Sequence, residues 1–264
     1  MQEMLTAITR RVGARINQCE LAYLERRAID VEKAAAQHAR YEDCLRAVGA
    51  RVVSLAPEPA LPDAVFVEDP AVVLDEVAVI ARMGAASRRP EAESLAAALA
   101  PFRPLLRMEE PATLEGGDVV RVGATLFVGV SERTNQEGVR QLKALVEPWG
   151  YAVRAIEVRG CMHLKTGCCY LGESAVLANR AWVDVAALGG LRVIDVPPEE
   201  PWAADVLVIG ETVIMPDSLP ATRRLLECQG WKVEALDVSE LMKAEAGVTC
   251  MSILFRADSQ CGTC

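Results

Sequence analysis

"FVEDPAVVLDEVAVIARM", Phe66–Met83, sets two carboxylates side by side in an apolar run and ends them at Pro70. Burying a charge is costly unless a partner satisfies it. Glu68 and Asp69 therefore mark either a turn that leaves both acids in water or a site that holds a cation. After them come a short apolar strand, an Asp75-Glu76 turn, a second strand and the helical stretch "PEAESLAAALAPF". The same order returns down the chain. "LEGGDVVRVGATLFVGVSE" (114–132) turns at Gly123-Ala124 and leads to "TNQEGVRQLKALVEPWG", a helix for which Thr134 and Glu137 predict a capping box. "HLKTGCCYLGESAVLANR" (163–180) turns at Gly172-Glu173, with His163 expected to begin its strand. "ADVLVIGETVIMP" (204–216) turns at Gly210-Glu211 and precedes the helix "ATRRLLECQG". "TCMSILFR" (249–256) is a fifth unit, completed by the N-terminal strand and helix. That helix is "IDVEKAAAQHARYEDCLRAVGA", in which Ala34, His38, Tyr41 and Leu45 recur at steps of three and four before a stop at Gly49.

The spacing of the polar words is regular. Glu68 to Glu115 is 47 residues, Glu115 to His163 is 48, His163 to Asp205 is 42 and Asp205 to Cys250 is 45. A constant period predicts stacked or radial repeats in place of separate domains. One domain is expected over residues 1–255, with a tail at 256–264. Short strands joined by two-residue turns fit a propeller of small mixed blades better than a doubly wound sheet. If each word points at a shared axis, Glu68, Asp69, Glu115, His163 and Cys250 converge on one pocket.

The totals narrow the function. The chain has 264 residues, 52% hydrophobic, and a formal net charge of −9, which argues against nucleic acid and anionic membranes as partners. No apolar stretch reaches the roughly 18 residues of a membrane span, and the N-terminus lacks the apolar segment of a secretory signal. Nine cysteines without regular spacing fit reduced thiols in a cytoplasm. "CGTC", Cys261–Cys264, has the C-x-x-C spacing of redox and metal sites but lies at the very end of the sequence, where a tail is the simpler account.

Residue types then set the chemistry. A cysteine nucleophile needs a base or a cation nearby, because a free thiol titrates near about 8.5. A histidine such as His163 can deliver a proton to a leaving group, and a carboxylate such as Glu115 can fix its orientation. Glu68 and Asp69 would bind a planar cation through paired, charge-assisted hydrogen bonds. This combination points to a substrate that is cationic at its reacting carbon, as a guanidinium is. Taken alone, His38 on its helical Ala/Tyr/Leu face, and the cysteines other than Cys250, read as packing residues.

"DAVFVEDP", "LEGGD", "SERTNQEG", "HLKTG" and "GVTCMS", in this order, resemble the dimethylarginine dimethylaminohydrolases of the guanidino-group-modifying superfamily. The resemblance implies a five-bladed α/β-propeller, the pentein fold. It implies hydrolysis of an Nω-methylated arginine to citrulline and a methylamine through a covalent thiouronium, with no metal and no cofactor. By it Cys250 is the nucleophile, His163 the general acid and base, and Glu115 its partner. Asp69, with Glu68 and Asp63, would hold the guanidinium. Arg88 and Arg133 match a clamp for the substrate's α-carboxylate, a role that Arg89 could exchange with Arg88. Leu21 matches a residue of a mobile lid and Ala244 a backbone position beside the α-amino group. The implied partner is a small guanidino amino acid, and a homodimer is compatible with it. "KAEAGVTC" departs from the family in Glu245 and Ala246, and "CELAYLERR" matches the lid loosely. Lys165 stands where arginine deiminases carry an aspartate, which favours a methylated arginine over arginine. An arginine deiminase, an amidinotransferase or another guanidine-modifying enzyme of the superfamily is the alternative.

Overall fold

In the computed structural model, which describes residues 3–258, the chain folds into five three-stranded sheets built on one plan. Strand β1 (Glu3–Arg10) runs through α1 (Val31–Ala47) to β2 (Arg51–Leu55), which pairs parallel to it. A parallel pair requires such a crossover. Asp30 starts α1 by accepting the Lys33 amide, and Ala34, His38, Tyr41 and Leu45 form its buried face. His38 is thus packed in the core, and burial pushes its pKa down.

The next units each begin with an antiparallel hairpin. They are β3 (Ala71–Val73) and β4 (Ala78–Ile80), followed by α2 (Glu91–Leu99) and the parallel β5 (Leu105–Arg107). Then come β6 (Val119–Val122), β7 (Thr125–Val130), α3 (Gln136–Val146) and β8 (Ala152–Glu157). A single helical turn, α4 (Leu164–Gly167), precedes β9 (Cys168–Gly172), β10 (Ala175–Ala178) and β11 (Arg192–Asp195), and the crossover holds only a 3-10 turn. The fourth hairpin is β12 (Leu207–Ile209) and β13 (Thr212–Pro216), completed by α5 (Pro220–Cys228) and β14 (Lys232–Leu236). After α6 (Ser239–Met242), strand β15 (Ile253–Asp258) pairs antiparallel with β1, joining Glu3 to Asp258 and Ile8 to Ile253. Residue 255, the domain limit drawn from sequence, falls inside this strand. The "CGTC" cysteines lie outside the described residues.

Alternation along the strands explains why they read as almost continuously apolar. Successive side chains face opposite sides of a sheet. Ile8 packs with Ala78, Ile80 and Phe255, whereas its neighbour Ala7 packs with Tyr41, Ile209 and Ile214. Val119, Leu126 and Val128 join Val72 and Val79, while Val120 and Phe127 join Val176 and Cys168. Leu171, Leu177, Val213 and Met215 form the remaining cluster. Each of these five clusters thus joins two sheets, and one joins the fifth sheet to the first.

Two local expectations are corrected. The cap of α3 is Asn135, whose side chain accepts the Gly138 amide at 2.7 Å, while Thr134 gives its hydroxyl to Asp118. His163 does not begin a strand; it is the extended residue before α4, and β9 starts at Cys168.

Candidate active site

Every polar word stands just before the first strand of a sheet: Glu68-Asp69 before β3, Glu115 before β6, His163 before α4 and β9, Asp205 before β12, Cys250 before β15. Asp69, His163 and Cys250 line one narrow cleft with Asp63, Phe66, Arg88, Arg133 and Ala244. Glu115, fully buried, lies behind His163. The pairing is tight. His163 Nε2 is 2.8 Å from Glu115 Oε2, and Nδ1 is 3.7 Å from Asp69 Oδ1.

Burial by itself lowers the His163 pKa, but Asp69, Glu115 and Asp118 outweigh it and hold the imidazole up at about 9. Burial likewise acts to raise Glu115, and the His163 hydrogen bond and charge, with Arg88 and Arg133, outweigh it and bring Glu115 down to about 2. A cationic imidazole beside an ionised carboxylate is the resting form at neutral pH.

The backbone of "LEGGD" is what permits this approach. A Cβ on Gly117 would lie 2.6 Å from His163 Nδ1 and 2.8 Å from Asp69 Oδ1, so only glycine fits between acid and imidazole. The Gly117 amide also donates to Asp69 Oδ1 at 3.1 Å. Asp118, which sequence reasoning left without a role, accepts the Leu164 amide at 2.9 Å and the Ser131 and Thr134 hydroxyls at 2.7 Å each. It fixes the start of α4, and with it the residue before, His163. Its place as the last letter of "LEGGD" was the available signal.

Cys250 is half-buried at the mouth of β15, and its carbonyl accepts the Glu68 amide at 3.2 Å. Burial pushes its thiol pKa well up, and the acids Asp205, Glu68 and Asp69 add to that. A free thiolate is therefore disfavoured until a positive charge enters. Asp205, also without a sequence-assigned role, has Oδ2 at 4.0 Å from Cys250 Sγ. The 45-residue step to Cys250 was its signal.

The cations divide unevenly. Arg88 is buried and spends its guanidinium on Asp69 Oδ2 (2.7 Å), on both Glu91 oxygens (3.0 and 2.9 Å) and on the Phe66 carbonyl. Arg133 is less committed: Nη1 has no hydrogen-bond partner and stands 3.6 Å from Glu115 Oε1. Arg89 donates to the Met83 carbonyl and is absent from the cleft lining.

Glu68 is not brought into the cleft. Lys165 Nζ takes its Oε1 at 2.5 Å and Thr249 Oγ1 its Oε2 at 2.9 Å. Both Glu68 and Lys165 line a different cavity, of about 350 Å³. Lys165 thus faces Glu68 rather than the edge of a cleft-bound cation.

The segment containing Leu21 lies over the cleft's rim. Glu20 lines the cleft and Leu21 packs against the core beside it. The Glu20 amide donates to both oxygens of Asp63, at 3.2 Å each. Amides of Ala22, Tyr23 and Leu24 all donate to the carboxylate of Glu245, a non-glycine residue at φ 59° in the loop before Cys250. Ala244, buried, lines the cleft next to it.

Residues 7–180 match the family model described as N,N dimethylarginine dimethylhydrolase, eukaryotic. The N(G),N(G)-dimethylarginine dimethylaminohydrolase of Pseudomonas aeruginosa is 38% identical over 86% of this chain and 90% of its own length. That of Streptomyces coelicolor is 38% identical over 95% of this chain and 96% of its own. Among solved structures, a cysteine-to-serine variant of the Pseudomonas aeruginosa enzyme complexed with citrulline superimposes with a TM-score of 0.91, at 34% identity, covering 96% of this chain and all of that one. The N-terminal domain of ArgZ, covalently bound to a reaction intermediate, shares the fold at a TM-score of 0.86 and 18% identity, covering 95% of this chain and 97% of that one. The chain belongs to the dimethylarginine dimethylaminohydrolase family.

Proposed function

We propose that this protein hydrolyses Nω-methylated L-arginine to L-citrulline and a methylamine, with Cys250 as nucleophile, His163 as general acid and base, and Glu115 as the carboxylate that orients and charges the imidazole. The observation that carries the proposal is the cleft in which Cys250 and an imidazolium held by Glu115 sit beside Asp69. A carboxylate offers about four acceptor sites, and Asp69 gives one to Arg88 and one to Gly117, so acceptor capacity remains for a guanidinium. The bound cation stabilises thiolate directly, and attack on the guanidinium carbon gives a tetrahedral adduct. His163 protonates the departing amine, leaving a thiouronium on Cys250. Neutral His163 then takes a proton from water as it attacks, and collapse of the second adduct releases citrulline and the sulfur. Nucleophile, acid and base are all side chains, so no cofactor or metal enters these steps.

Asp63 assists Asp69 from the cleft wall. Arg133, with an unspent donor, takes the α-carboxylate with Arg88, and Ala244 and Leu21 border the amino-acid end. By the family resemblance Lys165 replaces the aspartate that arginine deiminases carry, so no second acid is offered to an unmethylated guanidinium, and Lys165 itself is turned to Glu68. Unpaired donors on arginine itself would cost about 1–3 kcal/mol in a dry site, which a methylated nitrogen avoids.

The five sheets are, in this reading, blades of an α/β-propeller around the polar words, supported by five core clusters that each join two sheets in cyclic order. The seven free cysteines among the described residues support a cytoplasmic location. No helix of the described residues is long and apolar enough to cross a membrane. Whether the enzyme works as a monomer or as a homodimer is read by sedimentation.

The deciding experiment is a substrate panel with citrulline detection. Dimethylarginine and monomethylarginine should be used at least about tenfold better than arginine in kcat/KM, the equivalent of about 1.4 kcal/mol. Equal turnover of arginine would overturn the substrate assignment and leave a guanidine hydrolase of another kind.

A further inference from the structure

Asp205 is a buried acid at the reacting sulfur that the mechanism above does not use. Its Oδ1 accepts the Thr249 amide at 3.2 Å, which fixes the carboxylate against the nucleophile's own backbone. The Oδ2 atom faces Cys250 Sγ at 4.0 Å. Gly247 closes over the same group: a Cβ there would lie 2.0 Å from Asp205 Cγ, so this loop is shaped around the carboxyl. Among the described residues Asp205 has no salt-bridge partner, in contrast to Asp69 with Arg88 and Glu68 with Lys165. Among the described residues the Cys250 thiol is the titratable group that hydrogen-bonds to this acid.

We propose that Asp205 is the proton acceptor for Cys250: it receives the S–H hydrogen bond in the free enzyme and takes the proton when the guanidinium is seated. The step balances within the pair, since the thiol and carboxylate become thiolate and carboxylic acid. One negative charge moves from oxygen to sulfur, toward the substrate. The proton returns to sulfur when collapse of the second adduct releases Cys250. This rests on Cys250 being the nucleophile.

The surroundings support a shared proton. Burial raises Asp205 to about 7, with Glu68 adding to the shift and Thr249 and Lys165 opposing it. Cys250 feels Asp205, Glu68 and Asp69 on the acidic side, and Lys165 and the Tyr41 hydroxyl also lie within reach of it. The thiols of Cys161 and Cys169 feel the Asp205 charge as well, but burial holds both well above the range of a working acid.

Asp205→Asn tests this, because the amide keeps the shape and the Thr249 bond but cannot take a proton. Iodoacetamide alkylation of Cys250, followed by peptide mass spectrometry across pH without substrate, should become at least about tenfold faster at pH 7, as the thiol loses an acidic neighbour. In the same variant kcat/KM on Nω-methylarginine should fall about 10²-fold, the contribution of a general base. The gain must appear as a lowered midpoint of the alkylation profile with the same high-pH plateau and unchanged circular dichroism, since loosening of the fold would raise the plateau as well. Unchanged alkylation, or unchanged turnover, overturns the proposal. Alkylation of Cys250 that leaves activity intact would instead remove Cys250 as nucleophile. A second readout does not depend on that variant folding. By carbon NMR of labelled aspartate, Cys250→Ala should raise the Asp205 midpoint by about half a pH unit or more, because the S–H donor favours the carboxylate. No change there also overturns it.

Discussion

Glu68 and Asp69 are neighbours in sequence and equally buried, yet they serve different cavities. Asp69 joins His163, Cys250 and Arg88 in the narrow cleft; Glu68 turns to Lys165 and Thr249 beside the larger one. Each acid has a cation and one hydrogen bond on each oxygen, Asp69 from Arg88 and the Gly117 amide, Glu68 from Lys165 and Thr249; what differs is the cavity each one faces. Neither burial nor remaining hydrogen-bonding capacity is therefore the mark of a site; the mark is a buried carboxylate turned toward the cleft that holds the nucleophile and the imidazole.

That contrast is broken most severely on the cleft side. Cys250→Ser should lose at least about 10³-fold in kcat with folding intact, since a serine hydroxyl finds no comparable activation there. Circular dichroism and a citrulline assay check it, and retention of more than about a few per cent of activity removes the assignment. His163→Gly should fall about 10²–10⁴-fold, read in the same assay. Its pH signature is specific. The imidazole must hold a proton for the leaving amine, and it releases that proton as pH rises through about 9, so wild-type kcat/KM should decline on an alkaline limb near that value. An alkaline limb near the ordinary histidine value would show that the Asp69 and Glu115 charges do not hold the imidazole up in the free enzyme.

The two arginines sharpen the comparison. Arg133→Ala should raise KM with little change in kcat, lowering kcat/KM about ten- to a hundredfold for a lost charge-assisted hydrogen bond. Arg88→Ala should do the same and also cost about 3–5 kcal/mol of stability, because it strands Asp69 and Glu91 in the interior without a cation. Denaturant melts of the two variants separate these effects; equal melts would mean that the buried triad is not a stabilising unit.

The smallest effect on chemistry belongs to the far cavity. Lys165→Met leaves Glu68 unpaired and should destabilise the fold by an amount similar to Arg88→Ala. Its effect on kcat with dimethylarginine should stay below about tenfold, because Glu68 does not line the cleft and reaches Cys250 only through its charge. A loss as large as that of His163→Gly would bring Glu68 back among the groups that touch substrate.

Much of this was legible because periodicity survives folding. The 42- to 48-residue steps located all five polar words, and each word begins a sheet. The strands and their turns followed from runs of valine, isoleucine and alanine bounded by Gly or acidic pairs. What could not be read was facing. Glu68 and Asp69 lie in the turn before β3, where no strand or helix period fixes which side chain faces which cavity. Asp205 was counted in the period and left without chemistry, because an acid beside an apolar strand reads as a turn until its neighbours in space are known. The α3 cap was misassigned for a related reason: Thr134 has a distant competitor in Asp118, 16 residues earlier, which local pattern does not contain.

Glu245 gives the rim segment a clock of its own. Its carboxylate gathers the amides of Ala22, Tyr23 and Leu24, so these hydrogens exchange with solvent only when the segment lifts. The acceptor belongs to the loop that carries Cys250, and the same event that frees the amides frees that loop from its strap. Deuterium uptake at three consecutive residues would thus time the opening of the cleft in the free enzyme. Its slowing by bound citrulline would count how many openings are lost while product is held.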